Sequence, residues 1–187
     1  MELAELVVLV RTLLARPAGA AELRILEAAL LELDVSPLHL EARLEKIPAD
    51  KGWVGVQLAD ERHGHASLFL LPRGGGIPLH DHPGLTVLLR PVIGRVRAEA
   101  WDWLEPPPAP GESARARRAL DAILDPTSPA LWTLPDEGNV HGLTPIDGPA
   151  AFVDLFAPYY DDERRCSYYD VVALDRLQRR PAGTEEA

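Results

Sequence analysis

Between residues 53 and 156 the apolar residues come in short runs separated by Gly, Pro and Asp: WVGVQL (53–58), ASLFLL (66–71), LTVLLR (85–90), GRVRAEAW (94–101), ALWTL (130–134) and AAFVDLF (150–156). Short β-rich runs punctuated this way predict a small antiparallel barrel or jelly roll. The prolines of EPPPAPGE (105–112) donate no ladder hydrogen bonds, so this stretch is expected as a surface loop between the two halves of the sheet. Residues 113–124, SARARRALDAIL, have good helix propensity, yet a strand there would complete the barrel; both assignments stay open.

Ahead of the runs the texture is helical. Leucines and valines recur at helical spacing over residues 2–16, closed by Pro17 and Gly19, and Leu23, Leu26, Leu30 and Leu33 form a stripe over residues 20–33. The expectation is a mainly β chain with an N-terminal helical pair. It divides into a helical segment (1–48) packed on a barrel (49–175), with a flexible C-terminal tail (176–187). With 187 residues, 47% of them apolar, one domain with a real core is expected. A formal charge of −10 disfavours nucleic acid or an anionic membrane as partner. The apolar stretch 3–14 has Glu2 and Glu5 where a secretory leader is basic, and it is too short to span a bilayer. The single cysteine, Cys166, excludes an internal disulfide. A cytoplasmic protein is expected.

IPLHDHPG (77–84) places His80 and His82 one residue apart on a stretch stiffened by Pro78 and Pro83, after Gly74, Gly75 and Gly76. Alternation along an extended backbone points both imidazoles to one side, which is how a chelate is built. A second block, GNVHG (138–142), offers His141. The glycine run lacks a following Lys-Ser or Lys-Thr, so it is a turn into the histidine strand and no phosphate loop.

The spacing of Gly74, His80, His82 and Gly94, followed by Pro135, Gly138 and His141, resembles the two sequence blocks of the cupin superfamily, whose barrels hold a metal with histidines from both blocks. The usual pattern has a glutamate ligand at the position of Val87. Without it, three neutral imidazoles leave a ferrous ion its full charge and open positions on one face, which favours an anionic ligand such as a thiolate. IPLHDHPGLTV, AEAWDW, GNVHGLTP and AFVDLFAPYYDDERRCSYYD together resemble the plant cysteine oxidase and 2-aminoethanethiol dioxygenase family of cupin thiol dioxygenases, from about Trp53 to Tyr169.

That resemblance implies one ferrous iron per chain held by His80, His82 and His141. It implies conversion of a small thiol or an N-terminal cysteine to the sulfinic acid with dioxygen. Asp154 matches the family's active-site aspartate and Tyr160 the tyrosine ending its Pro-Pro-Tyr turn; here Pro158 and Tyr159 precede it, so Tyr159 competes for that place. Cys166 and Tyr168 match a C-x-Y pair expected at the cavity mouth. Each has a plainer reading. Asp154 could pair with Arg95 or Arg97, Tyr160 could merely pack, and Cys166 could be inert. His63 and His65, in DERHGHAS, read as a solvated hairpin tip. Two rivals stand beside the oxygenase: another metal-dependent cupin enzyme, and a non-catalytic cupin that binds a metabolite.

Overall fold

A computed structural model of the chain describes residues 1–48, 50–159 and 164–181. Three α-helices come first: α1 (Leu3–Leu14), α2 (Ala20–Leu31) and, after a 3-10 turn at Ser36–Leu38, the short α3 (Leu40–Leu44). Glu5 reaches back to the Glu2 backbone N–H at 2.8 Å, and Glu22 to that of Gly19 at 3.1 Å, so both long helices start on a satisfied donor. Leu6, Val10 and Leu14 bury one stripe of α1; Leu26 and Leu30 do so on α2, and Leu40 and Leu44 on α3. Burying each such side chain contributes about 1.5–3 kcal/mol, which short helices of this kind need because isolated helices are marginal in water.

Those stripes meet a sheet. The strands are β1 (Val54–Glu61), β2 (Gly64–Leu71), β3 (Ile77–His80), β4 (Thr86–Trp103), β5 (Ser113–Leu124), β6 (Leu131–Thr133), β7 (Val140–Ala157), β8 (Tyr169–Ala173) and β9 (Arg176–Arg179). They order as β1-β2-β7-β4-β5-β9-β8, with β3 also on β7 and β6 also on β4. Every pairing is antiparallel. Period-two alternation gives the sheet two distinct faces. Leu68, Leu70, Leu88, Val153 and Leu155 share one apolar cluster with the helices. Their neighbours Phe69, Leu89, Phe152 and Phe156 belong to clusters on the other face, which curls around the interior. The result is a mainly β fold, a curled antiparallel sheet with the three helices on its outer face.

Polar contacts reinforce the helix side. The Arg90 guanidinium donates to the carbonyls of Leu30 and Leu33 at the end of α2, and Trp132 Nε1 donates to Glu27 at 2.7 Å.

Two features differ from the sequence expectation and one settles an assignment it left open. Residues 85–90 and 94–101 are one strand, β4, whose register with β7 shifts on either side of Ile93. Residues 113–124 are strand, with Ala114 and Ala116 buried between exposed Arg115 and Arg117; completing the sheet outweighs their helix propensity. Residues 176–179 are no tail. Their strand β9 pairs with β5 and β8, and Leu177 is fully buried with Trp101, Ala116, Val140 and Tyr169. Residues 182–187, the rest of that expected tail, lie outside the described residues.

Candidate metal centre

Strand β3 ends on His80, and antiparallel pairing with β7 sets His80 directly opposite His141. His82 follows after one residue, where the chain turns through Pro83 and Gly84. The ring centroids lie 4.7 Å apart for His80 and His82, 4.6 Å for His80 and His141, and 4.8 Å for His82 and His141. One ring nitrogen from each lies within 4.8 Å of the others. All three are buried, at 7%, 3% and 0% exposure in chain order. Among the described residues no carboxylate or thiol joins this cluster. Val87, at the position of the usual cupin glutamate, is fully buried against Leu85 and Phe156.

Electrostatics and hydrogen bonding suit a cation. His80 Nδ1 lies 2.9 Å from the Pro78 carbonyl. That contact assigns the proton to Nδ1 and leaves the Nε2 lone pair available. His141 is fully enclosed, and neither ring nitrogen makes a hydrogen bond of good geometry, the one polar contact being a weak one to the Asn139 backbone. Such a group costs about 1–3 kcal/mol, a penalty that coordination would remove. Burial lowers the pKa of His80 to about 4 and holds those of His82 and His141 well below the usual range, with the neighbouring imidazoles adding to it. The three rings are therefore neutral at physiological pH, the protonation state a metal needs.

Two residues that the sequence did not single out hold this geometry. Asn139 accepts from the His82 backbone N–H at 2.8 Å and donates to the carbonyls of His82 and Leu134 at 3.0 and 2.9 Å. It thereby ties the first histidine block to the second. Asp81 points away from the cluster: its carboxylate accepts from the Ser167 backbone at 2.6 Å and the Tyr169 hydroxyl at 2.7 Å. This staples the C-terminal segment to the histidine strand, and a bridge between His80 and Tyr168 extends the contact. Both partnerships span long sequence separations, so no local pattern reveals them.

The cluster opens on a cavity of about 240 Å³ whose lining includes Asp154, Cys166, Tyr168 and His65, with Phe69, Ile77 and Leu143 among its apolar walls. Trp53, 37% exposed, belongs to both the lining and the surface. Asp154 is 3% exposed, and its Oδ1 has no hydrogen-bond partner among the described residues. Burial raises its pKa well above the carboxylate range, so it is held as the acid. The arginines considered as partners are engaged elsewhere, Arg95 with Asp147 at 3.0 Å and Arg97 with Asp121 at 2.7 Å. Cys166 and Tyr168 share the cavity lining, and the Tyr168 ring lies 5.9 Å from His80. Tyr159 sets its ring edge against His65 at 5.2 Å and hydrogen-bonds Asp60. Tyr160 lies outside the described residues. His65 departs from its expected place at a solvated tip: it is the second residue of β2, stacks on Phe156 at 4.3 Å and lines the cavity. Its alternation with Ser67 and Phe69 was the available signal.

The family model PCO_ADO matches residues 44–187. The human 2-aminoethanethiol dioxygenase is 32% identical over 180 residues, covering 83% of this chain and 66% of that protein. Plant cysteine oxidase 1 of Arabidopsis thaliana is 34% identical over 113 residues, covering 59% of this chain and 39% of that one. The chain thus spans less than two thirds of the length of these curated relatives. A solved double-stranded β-helix protein from Klebsiella pneumoniae aligns with a TM-score of 0.48 at 14% identity, covering 67% of this chain and 92% of that one. The chain belongs to the PCO_ADO family.

Proposed function

We propose that the protein is a non-haem iron thiol dioxygenase, converting a small thiol or the thiol of an N-terminal cysteine to the sulfinic acid. The observation that carries this reading is a buried set of three neutral imidazoles, with valine in place of the cupin glutamate, facing a largely apolar cavity. His80, His82 and His141 are the ligands in this reading. A ferrous ion held by these three residues would supply positive charge that favours a thiolate and the redox chemistry that dioxygen requires. The names of the curated relatives, a 2-aminoethanethiol dioxygenase and a plant cysteine oxidase, support both substrate classes.

The chain's own side chains do the rest. Val87 withholds a carboxylate, so the net positive charge of the centre is left for the incoming thiolate. Phe69, Ile77 and Leu143 exclude water from the cavity, which strengthens every charge interaction inside it. Asp154, held as the acid, donates a hydrogen bond toward the oxygen atoms arriving on sulfur. Cys166 and Tyr168 shape the side of the cavity next to His80. Both atoms of dioxygen end on sulfur, so a thiol becomes a sulfinic acid with no other oxidant. The single cysteine and the acidic charge agree with a reducing, cytoplasmic setting.

The test is an oxygen-electrode trace on anaerobically iron-loaded protein with cysteamine, cysteine, 3-mercaptopropionate and a peptide beginning with cysteine. The expected result is one dioxygen consumed per thiol, with both atoms of labelled dioxygen in the sulfinate. Metal uptake with no oxygen consumption across the panel would favour the metabolite-binding reading.

A further inference from the structure

His65 is the histidine that the proposed mechanism leaves unused. On β2, Ala66, Leu68 and Leu70 pack in the cluster shared with the helices, so His65, Ser67 and Phe69 face the interior. In register across β7, His65 pairs with Phe156, Ser67 with Asp154 and Phe69 with Phe152. His65 and Asp154 are therefore diagonal neighbours on one wall. The imidazole lies nearly parallel to the Phe156 ring, 4.3 Å away with an interplanar angle of 14°, while the Tyr159 ring meets it at 64°. These two contacts help to fix the orientation of the ring. The same Phe156 ring lies 5.4 Å from that of His82. One aromatic ring thus bridges His65 and the candidate metal centre, and both line one cavity.

Resting on the reading of that centre as a thiol site, the geometry points to His65 as the acceptor for the substrate's amino group. A β-aminothiol, the unit shared by cysteamine and a peptide's N-terminal cysteine, bound through sulfur at the three histidines directs its ammonium to the His65 imidazole. Burial lowers the His65 pKa to about 4, so the ring is neutral and offers a lone pair. Asp154, kept as the acid by burial, is suited to donate. The wall thus divides the two tasks between its two polar positions.

The experiment is anaerobic calorimetry on the iron-loaded protein with cysteamine and with 1-propanethiol, which has the same shape and no amine. A hydrogen bond to a charged group predicts that the wild type prefers cysteamine by about ten- to a hundredfold. His65→Phe removes that preference while propanethiol binds as before. His65→Gln, whose amide oxygen accepts, restores most of it and serves if the Phe variant fails to fold. A preference that survives in His65→Phe, an equal loss for both thiols, or no preference in the wild type overturns the assignment. Preference without oxygen consumption overturns the oxygenase reading and leaves His65 in place. Failure to take up metal overturns both.

Discussion

His141 and Asp154 are both enclosed polar groups, and each makes a prediction for the metal-free protein. The two ring nitrogens of His141 make no hydrogen bond of good geometry, only a weak contact to the Asn139 backbone. His141→Leu should therefore raise the stability of the metal-free protein by about 1–2 kcal/mol in urea unfolding, while metal uptake is lost. A destabilised variant would show that the imidazole already has a partner. For Asp154, burial places the folded pKa above the unfolded one. As pH rises past about 4 the unfolded chain releases a proton that the folded chain keeps, so stability declines with pH until the folded pKa is reached, by up to about 1.4 kcal/mol per pH unit. Asp154→Asn has no such proton. Its advantage over the wild type should grow as pH rises past about 4, until the folded pKa is reached; a constant difference would mean that Asp154 is ionised when buried.

At the scale of the elements, β4 and β7 pair along nearly their whole length, and the bend in that ladder rests on Gly94. Gly94 has φ of 70°, and a Cβ there would lie 2.4 Å from the Pro149 carbonyl oxygen. Gly111 also has positive φ, 83°, but its Cβ would meet nothing within 4 Å. Gly94→Ala should cost more than about 3 kcal/mol, whereas Gly111→Ala should cost about 1 kcal/mol for the backbone alone. Equal losses in paired urea titrations would mean that the ladder relaxes around the added methyl. The strands around the site were legible because their faces alternate and turn formers separate them. The merger of residues 85–90 with 94–101 was hidden because Pro91 and Gly94 look like a strand break. Strand β9 was hidden because RLQR, the stretch from Arg176 to Arg179, offers one apolar residue, Leu177, whose burial depends on Trp101, Ala116 and Val140 from distant strands.

Over the whole molecule, the site was legible where chemistry and spacing coincide: His80, His82 and His141 stand out as a chelating pair and a distant third. Asp81, Asn139 and His65 matter through partners set by the fold, and composition made His65 look solvated. The same enclosure gives the metal-free molecule an acid weakness. His65 and His80 fall from the usual 6.5 to about 4, and His82 and His141 lie well below the usual value, all chiefly through burial. Their lowered pKa means that the unfolded chain takes up protons below pH 6.5 that the folded chain refuses. Stability should therefore fall as pH drops from 6.5 toward 4, with each imidazole shifted to about 4 costing on the order of 3 kcal/mol. Urea midpoints of the chelated protein across that range check the slope; a flat acid limb would contradict burial of the imidazoles.

The central claim is that three imidazoles, and no carboxylate, present one iron to a thiol. Iron K-edge X-ray absorption on the anaerobically loaded protein, before and after cysteamine, tests it most directly. The expected spectrum shows one iron per chain with scattering from three imidazoles and a sulfur neighbour that appears with the thiol. A carboxylate in the coordination sphere, or a spectrum unchanged by cysteamine, would contradict it.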